Sequence, residues 1–103
     1  MQNATTPDYL MLMHNDPPKA ARDEDWGTYI EALAKAGKFR GGSAIGEGIA
    51  LRKSGTAPAI TAHIGGFIRI EADSLADAEA LLAVNPVFEN GGTVEIRELP
   101  KTS

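Results

Sequence analysis

The sequence predicts an α+β domain: an antiparallel sheet with two helices on one face, its elements in the order β-α-β-β-α-β. Three observations predict it. Two segments have the apolar spacing of amphipathic helices, and each ends at a glycine or a proline. The strand-like runs alternate with the two-residue period of a sheet. Short clusters of Gly, Pro, Asn and Asp separate the elements. With 103 residues, the chain has room for one core that buries about 60–70% of the unfolded surface, and none for a separate cofactor domain.

Met1 to Pro7 reads as a disordered lead-in. Asp8 to His14 (DYLMLMH) reads as a strand with two largely apolar faces, Tyr9, Met11 and Met13 on one and Leu10, Leu12 and His14 on the other. Such a strand needs cover on both sides. In a sheet with helices on only one face, the second cover is expected from another subunit. Asn15-Asp16-Pro17-Pro18 ends the strand, because proline lacks the ladder donor.

A first helix is expected from Asp23 or Asp25, either of which can cap it, to Lys35 or Ala36. Its core stripe would be Trp26, Tyr29, Ile30 and Leu33, and Gly37 would follow its last turn. Phe39 to Gly48 (FRGGSAIGEG) is glycine-rich. A phosphate loop would place such glycines after a strand and before a helix, and here the order is reversed. The stretch is therefore read as an irregular strand, followed by a further strand at Ile49 to Lys53 and a short extended piece at Ala59 to His63.

Gly65-Gly66 turns the chain into a strand from Phe67 to Ala72. Ile68, Ile70 and Ala72 share its core face, and Phe67, Arg69 and Glu71 the opposite one. Ser74 is placed to cap a second helix, with Asp77 three residues on, a stripe of Leu75, Ala78 and Leu82, and a stop at Asn85-Pro86. Pro86 to Gly92 reads as a loop. Thr93 to Leu99 is the last strand, and Pro100 to Ser103 a tail. The order is that of the ferredoxin-like, split βαβ arrangement.

Composition excludes several classes. Hydrophobic residues at 43% and charged residues at 23% are ordinary for a globular protein, and no apolar run reaches the roughly 18 residues that span a bilayer. A net charge of -4 and a pI near 5.0 argue against binding a phosphate backbone. The chain has no cysteine, which removes disulfides, thiolate metal sites and cysteine nucleophiles. Its first residues, MQNATTPD, lack the basic and apolar parts of a secretion signal, so a cytoplasmic protein is expected, with no membrane or nucleic-acid partner and no cofactor.

Taken in order, YLMLMHND, AGKFRGGSAIGEG, IGGFIRIEADSLADAEALL, the Asn-Pro stop and GGTVEIRELP make the chain resemble the YCII-related, DGPF-type proteins from Asp8 to Pro100. The resemblance implies a single ferredoxin-like domain over residues 8–100. It also implies a homodimer in which two protomers join their open sheet faces into an α+β barrel with a cleft. The Asp-Gly-Pro-Phe motif that names the group is absent, and SGTAPAITAH stands where it would fall. No role that rests on that motif carries over.

Candidate chemistry is sparse. His14 and Asp16, at the end of the first strand, form a minimal acid-base pair, the histidine exchanging a proton and the carboxylate orienting it. The bland alternative has His14 bonded to a backbone carbonyl and Asp16 capping the turn. Arg69 is expected to face the dimer cleft, either clamping a carboxylate or phosphate or pairing with Glu71, Glu95 or Glu47. His63 can join His14 and Asp16 as metal ligands, although nothing in the spacing specifies a ligand set, and no metal is expected. Phe67, with Trp26 and Tyr9, can line an apolar pocket. Ser43 lacks the nucleophile elbow of a serine hydrolase. The leading expectation is a dimer whose cleft binds a small organic, in one version anionic, molecule through Arg69, Phe67 and His63, with His14 and Asp16 giving isomerase- or hydrolase-type acid-base chemistry. The second is a non-catalytic interaction or regulatory module whose cleft is only a dimer seam.

Overall fold

The structure, a computed structural model, describes residues 6–101. Most of the expected lead-in, and the last two residues of the tail, fall outside them. Four strands form one antiparallel sheet: β1 (Asp8–His14), β2 (Phe39–Ala44), β3 (Ile64–Glu71) and β4 (Val94–Leu99), in the spatial order β2-β3-β1-β4. Three helices accompany them, α1 (Asp23–Lys35), α2 (Leu75–Ala80) and α3 (Pro86–Glu89). The fold is α+β, with β1 and β3 in the middle of the sheet.

The core follows the two-residue period. Tyr9, Met11 and Met13 of β1, with Ile68 and Ile70 of β3 and Ala72 just beyond it, are buried against Tyr29 and Leu33 of α1 and Ala78 and Leu82 from the α2 region. The alternate residues Leu10 and Leu12 lie on the other sheet face and are only half-buried. Tyr29 is locked in place: its hydroxyl donates to the Leu81 carbonyl at 2.6 Å and touches the Met11 sulfur at 3.4 Å.

The first helix starts at Asp23, but neither Asp23 nor Asp25 is its cap. The cap position is Arg22, and Asp25 acts from inside the first turn, its carboxylate accepting the Arg22 backbone N–H at 3.3 Å and pairing with the guanidinium. That is the reciprocal half of a capping box, and the Arg22 bonds hold the Asp25 carboxyl below its ordinary value. The other end matches expectation. Gly37 takes φ +74°, and the N–H groups of Gly37 and Lys38 return to the carbonyls of Ala34 and Leu33, a Schellman closure.

The glycine-rich stretch forms a strand over Phe39–Ala44, and the expected strand at Ile49 to Lys53 is absent. At Gly42, an added Cβ would stand 2.6 Å from the Phe67 carbonyl oxygen, so β2 approaches β3 this closely only with glycine there. Gly41, at φ +110°, accommodates the irregularity between Phe39 and Gly42. Residues 45–63, including the expected extended piece at Ala59 to His63, carry no regular structure, and Ile49 and Leu51 are largely exposed. Their β propensity is ineffective because no strand pairs with them.

Ser74 caps α2 as expected, its Oγ accepting the Asp77 N–H at 3.1 Å. The helix ends at Ala80, before the expected stop, and Leu75 is half-exposed instead of joining the core stripe. Asn85-Pro86 begins a third helix where a loop was expected. The Asn85 side chain accepts from Val87 and Phe88 N–H, both at 3.0 Å, and Pro86 occupies the first turn. A proline that ends one helix is equally suited to begin the next, because its missing N–H has no intrahelical partner there.

Candidate functional site

The register of β1 with its neighbours decides which side chains meet. Leu12 is opposite Glu95 on β4 and Phe67 on β3, and Leu10 is opposite Arg97 and Arg69. Directly opposed residues share a face, so Leu10, Leu12, Phe67, Arg69, Glu95 and Arg97 all lie on the side of the sheet away from the buried core. His14 continues this row, one step diagonal to Glu95. Its Nε2 lies 2.7 Å from Glu95 Oε2, with the histidine side chain 18% and the glutamate 38% exposed. A carboxylate only accepts, so Nε2 carries the proton and donates it. The hydrogen bond from His14, with its charge and those of Arg97 and His63 behind it, holds the Glu95 carboxyl below its ordinary value.

Asp16 is committed elsewhere. Its Oδ1 accepts the Thr93 backbone N–H at 2.9 Å and its Oδ2 the Thr93 hydroxyl at 2.8 Å. These two bonds lower its pKa first, and His14 acts on it only through space. The expected His14–Asp16 pair is thus replaced by His14–Glu95, and Asp16 fastens the start of β4 to the turn after β1. Glu95 was named in the sequence only as a partner for Arg69. The β1–β4 register, diagonal from Leu12–Glu95, is the signal that finds it.

Arg69 sits toward the other end of the same face. Its Nη2 and Nε lie 2.7 and 2.8 Å from Asp8 Oδ2, and the Lys101 ammonium is 3.7 Å from Asp8 Oδ1. None of the three glutamates considered from the sequence is its partner; Glu71 pairs instead with Arg40 at 3.0 Å. Asp8 is buried, and two cations satisfy it.

His63 does reach His14. The rings meet edge to face with centroids 4.8 Å apart and planes at 67°. Asn15 positions this approach, its N–H donating to the His63 carbonyl at 2.9 Å and its side chain to the Ala62 carbonyl at 3.1 Å.

A cavity of about 600 Å³ opens on the covered face at the His14 end of β1, bounded by Met13, Trp26, Ile30, Phe39, Ile68 and Val87. Of the expected pocket residues, His14, Phe67 and Trp26 line it, whereas Asp16, Arg69, His63 and Tyr9 do not. Among the described residues, its one basic wall residue besides His14 is Lys19, which the sequence did not single out.

A four-stranded antiparallel sheet with a buried apolar face, an apolar cavity beneath it and a histidine–carboxylate pair at the end of β1 define a small α+β domain. The model of the YCII-related domain matches residues 6–101, nearly the full length, and the chain belongs to that family. No curated protein matches it. Among the described residues, no helix is long and apolar enough to cross a membrane.

Proposed function

We propose that this protein binds a small, largely apolar organic acid in the cavity beside His14 and performs acid-base chemistry on it, with His14 as the proton carrier. The observation that carries this reading is the placement of His14, which lines the cavity while its Nε2 is held 2.7 Å from Glu95. A histidine fixed by a carboxylate is held in one orientation, which suits it to exchange a proton with a bound molecule. Glu95 takes the orienting role first given to Asp16. Lys19 takes the anion-facing role first given to Arg69, since it lines the cavity and Arg69 does not. Met13, Trp26, Ile30 and Val87 supply apolar walls.

The reading includes a ferredoxin-like homodimer that covers Leu10 and Leu12; the cavity itself does not need it, and two features fit it. The strand order β2-β3-β1-β4 supports the split βαβ reading. Ile49, Leu51 and Ile60 are exposed on the 45–63 segment, in addition to the half-buried apolar residues of the open face. Arg69 and its Asp8 pair then belong to the seam. A cytoplasmic location is part of the same reading.

A thermal-shift screen of short aliphatic and aromatic carboxylates tests the ligand. The expected result is a saturable rise in Tm that Lys19→Ala weakens and Trp26→Ala abolishes. Rises unaffected by both substitutions, or none across the series, would reject the cavity as the site.

A further inference from the structure

Beyond the cavity, His14, His63 and Glu95 form a second constellation. One ligand atom from each lies within 4.8 Å of those of the other two. We propose that these three side chains bind one divalent transition-metal ion on the open face of the sheet.

The donor set selects the metal class. Two imidazole nitrogens and one carboxylate oxygen suit Zn²⁺, Co²⁺, Ni²⁺ or Fe²⁺, whereas Ca²⁺ and Mg²⁺ take oxygen almost exclusively. The three residues arrive from separate segments: the end of β1, the residue before β3, and β4. Each arrival is fixed by hydrogen bonds that spare the donor atoms. The His14 N–H donates to Thr93 O at 2.9 Å, and Asp16 holds Thr93 through both of its carboxylate oxygens. On the other side, the Asn15 backbone holds His63 at 2.9 Å. The end of β1 is therefore stitched to both neighbours, and these bonds preorganise the distance between the three side chains.

Ligands at about 2.0–2.1 Å from a tetrahedral zinc lie roughly 3.3 Å apart. The pair His14–Glu95 is already closer than this, and the exposed His63 ring needs only side-chain rotation to close the remaining gap. The ion would take the place of the proton that His14 Nε2 donates to Glu95. Arg97 approaches only the other Glu95 oxygen, at 3.9 Å, and is itself largely exposed, so Oε2 remains available. His63 is exposed and Glu95 half-exposed, which leaves the outer positions of the ion open to water or to an oxygen ligand. Three protein ligands with an open position are the pattern of a catalytic rather than a structural site. The ion's binding does not depend on the cavity holding a ligand.

The test is calorimetric titration of chelator-treated protein with Zn²⁺, together with Co²⁺ titration followed by visible absorption. The expected result is one ion per chain, with d–d bands of a low-coordinate site, unaffected by excess Mg²⁺ or Ca²⁺. His63→Ala and Glu95→Gln should each weaken binding by about tenfold or more, since loss of even an outer-shell partner commonly costs ten- to a hundredfold. His63 is exposed and does not line the cavity, so its substitution leaves the fold and any carboxylate thermal shift unchanged. No saturable uptake, or uptake equal in His63→Ala and the parent, would overturn the proposal. A metal response without a carboxylate response would reject only the cavity reading.

Discussion

The two faces of this sheet use the same strands and differ in almost everything else. On the covered face, Met11 and Ile70 are fully buried among side chains from the helices. On the open face, Leu10, Leu12 and Phe67 are half-buried, with Asp8, Arg69 and Lys101 toward one end and His14, His63 and Glu95 at the other. The covered face is satisfied within one chain. The open face carries apolar side chains that are only half-buried and, at its histidine end, polar groups partly open to solvent. Its two ends also contrast. The buried Asp8 carboxylate is paired with two cations, which is a structural arrangement. The histidine end has two neutral-capable nitrogens and one carboxylate partly open to solvent, which is an arrangement able to bind.

The largest effect expected is on the covered face. Met11→Ala should cost about 2–5 kcal/mol in urea unfolding, because it removes a fully buried side chain and leaves a cavity. Leu12→Ala, on the half-buried side of the same strand, should cost about 1–2 kcal/mol if the protein unfolds as a monomer. A cost for Leu12→Ala that equals that of Met11→Ala and rises with protein concentration would mean that a second copy covers the open face. Sedimentation giving one 10.9 kDa species at all concentrations would break the dimer reading.

Arg69→Met comes next. It leaves the buried Asp8 with only Lys101, 3.7 Å away, and should destabilise by about 2 kcal/mol, less than for a fully buried pair because Arg69 is half-exposed. If stability is unchanged, Asp8 has found water, and the end of the face taken here as structural is as open as the other.

Tyr29→Phe should cost about 1–2 kcal/mol, since the Leu81 carbonyl loses its donor. It also carries a pH signature. Burial raises the Tyr29 phenol above its ordinary value of 10.0. The stabilising contribution of the neutral phenol is therefore complete below the ordinary value and is lost as pH rises through the raised one. Tyr29→Phe should show a smaller loss of stability between neutral and strongly alkaline pH than the parent. An equal loss would place the alkaline titration elsewhere.

Legibility in the sequence follows the same division. The covered face could be read because burial obeys a local period: Ile68, Ile70 and Ala72 fall in phase, Ser74 caps its helix, and Gly37 closes the preceding one. Those signals act within a few residues. The site depended on register, which joins residues 81 positions apart in the His14–Glu95 bond and 61 apart in Arg69–Asp8. No local pattern encodes either, so the sequence gathered His14, Asp16, His63 and Arg69 without the partners that separate their roles. The glycine-rich segment was legible as an irregular strand, but the further strand expected at Ile49 to Lys53 was not excluded by any local signal. Ile49 to Lys53 has the better strand composition, but the backbone approach available only at Gly42 decides which segment pairs with β3.

The smallest expected effect without added metal is His63→Ala, within about 0.5 kcal/mol, because the side chain is exposed. Its value lies in what zinc then does. An ion that binds the folded chain alone stabilises it by RT ln(1 + [L]/Kd), about 2.7 kcal/mol at a hundredfold excess over Kd. The parent protein and Arg69→Met should both gain Tm with zinc, whereas His63→Ala should gain little. This isolates the two ends of one face: Arg69 acts on stability and leaves the metal response intact, and His63 does the reverse. Equal zinc responses in all three proteins would place the ion away from the histidines, and the contrast between a satisfied end and an available end would fail.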